Sequence, residues 1–234
     1  MPHSEKFSDR TRTNPKAVFL PRVVVMVKMP MAGRSKTRLG RQIGHARAVA
    51  FARHTAAAVV TRLAGARRWH VSVAISPDRD CFRARSWLPA HAVMPQGRGD
   101  VGERMQRAFR HAPAGPMVLI GADIPAVRPS HIAAAFAALG RCDAVFGPAT
   151  DGGYWLVGLK RRPRLLSPFR GVRWSSHHAL GDTLANLTAH GVAFVPTLSD
   201  VDNADDYEHV AGWSGRRVLP WSVGRHLPLS SDCE

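Results

Sequence analysis

Residues 117–125 read MVLIGADIP, and this stretch decides the fold class. The apolar run at 117–120 is typical of a short strand buried on both faces, as in parallel sheets. Gly121 and Ala122 end the run, so Asp123 is predicted to follow the carboxyl end of the strand. Ligands of open α/β sheets bind in the crevice at those ends. A carboxylate there either caps a turn or helix or holds a divalent cation such as Mg²⁺.

The segments on either side of this strand alternate between apolar runs and helical periodicity. Strands are predicted at residues 23–27, 71–75, 93–94, 144–148 and 192–195, and helices at 46–63, 81–87, 101–109, 129–139 and 177–190. Strands that alternate with helices favour right-handed crossovers and a largely parallel sheet. We therefore expect a flexible polar arm at residues 1–16, one α/β domain at 17–211 and an extended tail at 212–234.

Composition limits the class of protein. The chain has 234 residues, a net charge of +16 and three scattered cysteines, Cys81, Cys142 and Cys233. The sequence shows no apolar run long enough for a membrane span, no secretory signal core and no disulfide or zinc pattern, so a cytoplasmic protein is expected. The excess of cations indicates attraction of a nucleotide, a nucleic-acid surface or simply a solvated exterior. Nucleic acid is disfavoured because the basic residues are dispersed and aromatic residues make up only 7%.

The loop after the first strand is rich in cations. Residues 28–40 read KMPMAGRSKTRLG, which places Lys28, Arg34, Lys36 and Arg38 around Gly33. Such cations, with the backbone amides freed by glycine and the hydroxyl of Thr37, predict a cradle for a pyrophosphate or triphosphate. Neither the P-loop spacing nor the G-x-G-x-x-G fingerprint is present. A solvated charged turn is the alternative.

Two further stretches carry residues suited to a substrate crevice. In GRGDVGERM at 97–105, Asp100 is placed to cap a helix, whereas the glycines before it would admit a nucleotide base or ribose and Arg104 would meet a phosphate. In TDGGY at 150–154, the glycine pair predicts a tight turn after another strand. Asp151 and Tyr154 are then expected to face the same crevice as Asp123, unless the turn only closes a hairpin.

An acidic stretch lies near the carboxyl end of this basic chain. SDVDNADDY at 199–207 contains a helix start, which Asn203 or Asp202 can cap. Helix capping does not account for both Asp200 and Asp202. A role as the second ligand of a metal that Asp123 also holds accounts for them better. Ser175 or Ser176 is the expected cap of the helix at 177–190.

Taken together, the motifs resemble a known family. They occur in the order VKMPMAGRSKTRL, GDVGERM, LIGADIP, GPATDGGYWLVGL, VRWSS and SDVDNADD. This order resembles the DUF2064 family, the bacterial "transferase 1" proteins associated with radical-SAM and selenoprotein genes, over residues 22–210. That family looks like a branch of the nucleotide-diphospho-sugar transferases, whose GT-A fold is a Rossmann-like three-layer sandwich with a mostly parallel central sheet. The chain is also similar to the 2-phospho-L-lactate guanylyltransferases, but it lacks the G-x-G-T-R-M loop usual in nucleotidyltransferases.

The resemblance implies roles for particular residues. The loop containing Gly33, Arg34, Lys36 and Arg38 would hold the nucleotide phosphates. A Mg²⁺ or Mn²⁺ ion would be held by Asp123 and Asp202. The acceptor pocket would include Gly152, Gly153, Tyr154 and Trp174. Asp151 would orient the acceptor or take its proton, beside Asp123 as the second catalytic carboxylate.

The resulting hypothesis is a metal-dependent glycosyltransferase that moves a sugar from a nucleotide-diphospho-sugar to a small acceptor. The alternatives are a guanylyltransferase-like nucleotidyltransferase acting on a phosphorylated small molecule, a basic nucleic-acid-binding protein and an inactive nucleotide sensor. All versions of the transferase require Asp123 and Asp202 to converge opposite the loop that begins at Lys28.

Overall fold

A computed structural model describes residues 20–113, 115–161 and 164–214. Within these residues seven strands form one sheet, in the order β3-β2-β1-β4-β6-β5-β7. The strands are β1 Arg22–Lys28, β2 His70–Ser76, β3 Ala92–Pro95, β4 Met117–Gly121, β5 Ala144–Pro148, β6 Tyr154–Leu159 and β7 Val192–Phe194. All neighbouring strands pair in parallel except β6, which is antiparallel to both β4 and β5. The expected α/β class with a mostly parallel sheet is confirmed.

Helices cover both faces of the sheet. They are α1 Thr37–Ile43, α2 His45–Gly65, α3 Cys81–Arg85, α4 Val101–His111, α5 Pro129–Leu139, α6 Ala179–Ala185 and α7 Ala204–Ser214. Residues of α2, α3 and α5 share one apolar core with alternate residues of β1 and β2, and residues of α4 and α6 share the core on the other face. This arrangement is the expected three-layer sandwich. A smaller cluster, which includes Leu39, Phe51 and Tyr207, packs α7 against α1 and α2.

The strand at 117–121 lies in the centre of the sheet, between β1 and β6. Met117, Val118, Leu119 and Ile120 are all buried, which is why the run reads as continuously apolar rather than alternating. The strands β1, β4, β5 and β7 all run in the same direction, so the loops that follow them emerge at one edge of the sheet. The sheet therefore collects the chemistry-bearing loops of four distant parts of the chain.

Most predicted elements are confirmed, with differences at three places. Residues 37–40 were expected in the basic loop but belong to α1, because Leu39 buries its side chain in the small cluster beside α7. The helix expected at 177–190 is shorter, and neither Ser175 nor Ser176 is its N-cap. Ser176 instead closes a turn with Arg173 ahead of α6, whose N-cap is His178. Residues 212–214, expected in the tail, continue α7, while the arm at 1–16 lies outside the described residues.

None of the helices in the described part of the chain combines the length and hydropathy needed to cross a lipid bilayer.

Candidate active site

The loops after β1, β4 and β7 bring three carboxylates around one lysine. The ammonium group of Lys36 donates to Asp123 Oδ2 at 2.9 Å and to Asp202 Oδ1 at 2.7 Å. Asp200 Oδ2 lies 3.7 Å from the same nitrogen. The required convergence of Asp123 and Asp202 is thus present in the structure. We call Asp123, Asp200 and Asp202 the carboxylate cluster.

The turn before Lys36 and the start of α1 after it define the position of this residue. The Ser35 hydroxyl accepts from the Met31 amide and donates to the Met29 carbonyl, which folds the loop back on itself. Lys36 is the N-cap of α1 and has φ +47°, in the left-handed region that non-glycine residues seldom adopt. A strained residue of this kind persists only when its surroundings determine it, and here the ion pairs with the cluster do so.

Burial and charge act in opposite directions on these groups. Burial alone would lower the pKa of Lys36, but Asp123 and Asp202 outweigh it and raise the pKa to about 12. Burial raises the pKa of Asp200 to about 6, against the attraction of Lys36, and the neighbouring carboxylates add to the rise. For Asp202 burial also favours a higher pKa, but the hydrogen bond from Lys36 brings the net pKa below its ordinary value. The ammonium is therefore firmly charged, and Asp200 is harder to ionise than a carboxylate in water.

The donor set of the cluster fits a hard divalent cation. One oxygen from each of the three carboxylates lies within 4.8 Å of the other two. Carboxylate oxygens are the ligands that Mg²⁺ and Mn²⁺ accept in proteins, and the ammonium of Lys36 already shows that the cluster attracts a positive charge. The sequence offers Asp200 and Asp202 together as the second ligand, and the resemblance assigns that role to Asp202. The proximity of Asp200 to the cluster depends on the parallel bridge between Ala149 and Leu198, which lies beyond the ends of the predicted strands.

A cavity of about 670 Å³ opens on the Lys36 side of the cluster, and we call it the basic cavity. Its walls include Lys28, Thr37 and Arg38 from the segment predicted to bind phosphate, together with Asp123 and Asp202. Gly33 and Arg34 lie in the turn ahead of α1, where Arg34 is exposed and Gly33 has φ +70°. The role of these residues in phosphate binding stays a prediction, but the structure places three of the cations on one cavity.

A second cavity, of about 300 Å³, adjoins the first on the other side of Asp123, and we call it the aromatic cavity. Its walls include Gly153, Tyr154 and Trp174, three of the four residues predicted to contact the acceptor, and Asp151. The carboxylates Asp123 and Asp200 also face it. Gly121, Asp123 and Ser175 are among the residues that line both cavities, so the two spaces meet at the carboxylate cluster.

The turn between β5 and β6 positions Asp151. Asp151 Oδ1 accepts the Gly153 amide at 2.9 Å, and the Gly153 carbonyl accepts the Ala149 amide. Gly152, the fourth predicted acceptor residue, has φ +85°, and a Cβ there would lie 2.5 Å from the backbone of His177. The turn therefore closes the hairpin of β5 and β6 and also lies at the crevice that Asp123 lines. Glycine is required at 152 because the segment ahead of α6 passes directly over the turn.

An ion pair and aromatic contacts place Trp174 on the wall of the cavity. Arg173 donates to Asp182 of α6 through its backbone amide, Nε and Nη2, at 3.0, 2.9 and 2.8 Å. These bonds hold the pKa of Asp182 well below its ordinary value. The ring of Trp174 lies 6.3 Å from that of Tyr154 at an interplanar angle of 72°. Burial raises the pKa of Tyr154, whose hydroxyl is a weak acceptor for Thr183 at 3.5 Å.

Two residues assigned to the nucleotide have structural partners. Asp100 caps α4 in a reciprocal capping box with Glu103. Arg104 donates to the Gly99 carbonyl at 2.9 Å and to the Ser76 hydroxyl at 3.2 Å. Neither residue lines the basic or the aromatic cavity. Their contact with a nucleotide stays a prediction, while the capping role expected of Asp100 is confirmed.

Comparison with solved structures agrees with this architecture. A candidate nucleotide-diphospho-sugar transferase from Desulfovibrio desulfuricans G20 is 29% identical, with a TM-score of 0.76 over 85% of this chain and 89% of that one. A 4-diphosphocytidyl-2C-methyl-D-erythritol synthase from Anaerococcus prevotii DSM 20548 is 8% identical, with a TM-score of 0.57 over 85% of this chain and 99% of that one. CMP:2-keto-3-deoxy-manno-octonic acid synthetase in complex with CTP is 12% identical, with a TM-score of 0.55 over 83% and 98%. The last two similarities show a shared fold.

The family itself follows from the sequence profile. Curated proteins contain no significant match to the chain. The family described as an uncharacterized protein conserved in bacteria (DUF2064) matches residues 55–176, which is just over half of the chain. The matched segment includes Asp123, Asp151 and Trp174 and ends at Ser176, so it contains most of the aromatic cavity. The chain belongs to the DUF2064 family.

Proposed function

We propose that this protein is a metal-dependent glycosyltransferase, which moves a sugar from a nucleotide-diphospho-sugar to a small acceptor. The observation that carries the proposal is the carboxylate cluster on the boundary between a basic and an aromatic cavity. Such a boundary suits a reaction between a polyanionic donor and a different second substrate. The similarity to the candidate nucleotide-diphospho-sugar transferase supports the same reaction class.

The basic cavity is the proposed donor site. Lys28 and Arg38 offer charge to the donor phosphates, and the hydroxyl of Thr37 offers a hydrogen bond. Lys36 lies between this cavity and the cluster, so its ammonium can exchange a carboxylate for a phosphate oxygen without leaving the site. This side of the site would steady the nucleotide diphosphate as it becomes the leaving group.

The carboxylate cluster is the proposed metal site. Asp123 and Asp202 would hold Mg²⁺ or Mn²⁺, with Asp200 as a third oxygen ligand. When bound, the ion supplies positive charge that neutralises the donor phosphates. Since Asp123 lines both cavities, this residue connects the donor phosphates to the place where the acceptor must react.

The aromatic cavity is the proposed acceptor site, and Asp151 is its proton acceptor. The nucleophilic atom of the acceptor forms a bond to the anomeric carbon of the sugar. The bond from that carbon to the phosphate oxygen breaks, and its electron pair leaves with the nucleotide diphosphate. The proton of the acceptor passes to the carboxylate of Asp151, which the Gly153 amide holds in place.

Calorimetry with nucleotide diphosphates tests the donor and metal sites. UDP and GDP are titrated in the presence of Mn²⁺ into the wild type, Asp123→Ala and the control Asp205→Ala, in which the removed carboxylate is exposed on α7. We expect the Asp123→Ala variant to bind at least about tenfold more weakly, as expected when charged contacts are removed. Equal binding by the wild type and Asp123→Ala would refute the proposal.

The reaction class has a separate test. Purified protein is incubated with nucleotide-diphospho-sugars and with nucleoside triphosphates, and the released product is identified. Release of nucleotide diphosphate from a sugar donor supports glycosyl transfer. Release of pyrophosphate from a triphosphate in the presence of a phosphorylated acceptor would instead assign the protein to the nucleotidyltransferases.

A further inference from the structure

The charges that face the aromatic cavity are all of one sign. The residues of the described chain that line it include three carboxylates, Asp123, Asp151 and Asp200, and no lysine, arginine or histidine. The basic cavity, a few ångströms away, has Lys28, Lys36 and Arg38 in its walls. Asp123 and Asp202 also line the basic cavity, so the two described sets of walls differ in that only the donor side contains cations.

The nearest cations are already engaged by other groups. Lys36 is held by Asp123 and Asp202 at 2.9 and 2.7 Å, and its side chain is only 9% exposed. Arg173 directs its guanidinium to Asp182 through two hydrogen bonds. In the metal-free protein, an anionic group in the aromatic cavity would therefore lose its hydration and meet the carboxylates of the described walls.

The remaining walls favour an apolar or cationic body. Met105, Leu119, Tyr154, Trp155 and Trp174 enclose most of the space, and the Trp155 ring is fixed by a hydrogen bond from Nε1 to the Pro196 carbonyl at 3.0 Å. Aromatic faces beside carboxylates attract positively charged groups as well as apolar ones. A volume of about 300 Å³ limits the occupant to the size of a monosaccharide or smaller.

We infer that the acceptor is a monosaccharide-sized or smaller molecule without negative charge, either neutral or cationic, with a hydroxyl, thiol or amine group. This inference rests on the proposed function, in which the aromatic cavity receives the acceptor. The apolar part of the acceptor packs on Tyr154 and Trp174, and its reactive group lies at the carboxylate rim near Asp151. When the cluster holds its metal, Asp151 is the carboxylate of these walls that the ion does not neutralise, and it would disfavour phosphorylated acceptors, the class required by the guanylyltransferase alternative.

Two sets of matched probes test the charge preference directly. The first set is benzyl alcohol, protonated benzylamine and benzyl phosphate, and the second is methyl glucoside, glucosamine and glucose 6-phosphate. Binding to the wild type is measured by tryptophan fluorescence and saturation-transfer NMR, without metal or nucleotide. We expect the neutral and cationic members of at least one set to bind at least about tenfold more tightly than the phosphate member.

Charge reversal assigns the preference to the cavity. Asp151→Lys should reduce the difference between neutral and phosphate probes several-fold, whereas Asp205→Lys, which makes the same change on the exposed surface of α7, should leave it unchanged. Asp151→Asn provides a milder variant if the lysine disturbs folding, as judged by circular dichroism. Tighter or equal binding of the phosphate probes to the wild type, or no binding by any probe, would overturn the inference.

The test of the acceptor class can succeed or fail independently of the test of the proposed glycosyltransferase. The probe measurements need neither nucleotide nor metal, whereas the calorimetry needs both. A preserved charge preference without nucleotide binding would refute the glycosyltransferase but leave the selectivity of the cavity intact. Nucleotide binding without the charge preference would refute the acceptor class alone.

Discussion

The basic and the aromatic cavity meet at Asp123 but differ in the charged and aromatic residues of their walls. The basic cavity takes its walls from the loop after β1 and from α1 and α2, which supply Lys28, Lys36 and Arg38. The aromatic cavity takes its walls from the β5–β6 turn, from α4 and from the segment before α6, which supply Asp151, Tyr154 and Trp174. Cations line one of these adjoining spaces and are absent from the described walls of the other, which provides selectivity for two unlike substrates without a separate domain for each.

The difference also has a cause in the sheet. β1 and β4 are neighbours, so the loop of Lys36 lies against that of Asp123. β5 and β7 are neighbours, and the Ala149–Leu198 bridge extends their pairing so that Asp200 comes close to the turn of Asp151. Strand order thus brings Lys36 beside Asp123 on one side and Asp200 beside Asp151 on the other, and the carboxylate cluster forms where the two groups of loops meet.

The largest expected effect compares the packing around two turns, the one at Gly152 beside the aromatic cavity and the one at Gly33 ahead of α1. Gly152→Ala should lower the free energy of unfolding by about 3 kcal/mol, because its Cβ would meet the His177 backbone at 2.5 Å in addition to the positive φ. Gly33→Ala, at φ +70° with no atom within 4 Å of the added Cβ, should cost only about 1 kcal/mol. Urea denaturation measures both, and equal losses would show that the aromatic side is no more tightly packed than the basic side.

The next effect concerns the boundary between the cavities. Lys36→Met should lower the free energy of unfolding of the metal-free protein by about 2 kcal/mol, because three carboxylates whose side chains are 27% to 47% exposed lose their counter-ion. Lys28→Met removes an exposed cation of the same cavity. This variant should change the free energy of unfolding by no more than about 0.5 kcal/mol.

Divalent metal provides the decisive comparison for these two lysine variants. Mn²⁺ should raise the melting temperature of Lys36→Met more than that of the wild type, since the ion replaces the missing ammonium without having to displace it. A Lys36→Met protein that is as stable as the wild type in chelator would show that the lysine does not neutralise the cluster.

A smaller effect should be confined to the donor side. Arg38→Gln is expected to weaken UDP or GDP binding about fivefold, with a loss that shrinks as salt increases. Arg41→Gln changes an exposed arginine on the same helix that does not line the cavity, and it should have little effect. Calorimetry gives the affinities, and the probe assay should detect no change in the aromatic cavity. Equal losses in the two variants would mean that only the general positive charge matters.

The smallest effect concerns the support of Trp174. The pKa of Asp182 is depressed by Arg173, so its ionised form stabilises the fold above its ordinary pKa of 3.8, and this stabilisation is lost as pH falls below that value. The stability difference between the wild type and Asp182→Asn should therefore be small at pH 7 and should shrink progressively as pH falls below about 4. Urea midpoints at pH 7, 4 and 3 measure it, with Asp205→Asn as the control. A difference that does not change with pH would contradict the ion pair.

Local pattern was sufficient for the elements themselves. The apolar run at 117–120, the β-branched run at 23–27 and the helix at 129–139 all lie where the sequence places them, because their periodicity and end signals agree with their burial. α1 was missed because its seven residues are mostly polar and its helical form depends on burying Leu39 beside α7. The start of α6 was misjudged because Ser175 has φ +57°, which no sequence pattern there indicates.

For the candidate active site, too, some features follow from local sequence and others only from the tertiary structure. The sequence by itself determined that Asp123 follows a buried strand, that a cationic loop follows β1 and that Asp200 and Asp202 exceed the needs of helix capping. Only the tertiary structure decided that Lys36 bonds to carboxylates, that Asp200 belongs with them and that Asp100 and Arg104 lie apart from both cavities. The physical reason is that spacing along the chain specifies strand ends and turns, whereas distances between side chains depend on which strands become neighbours in the sheet.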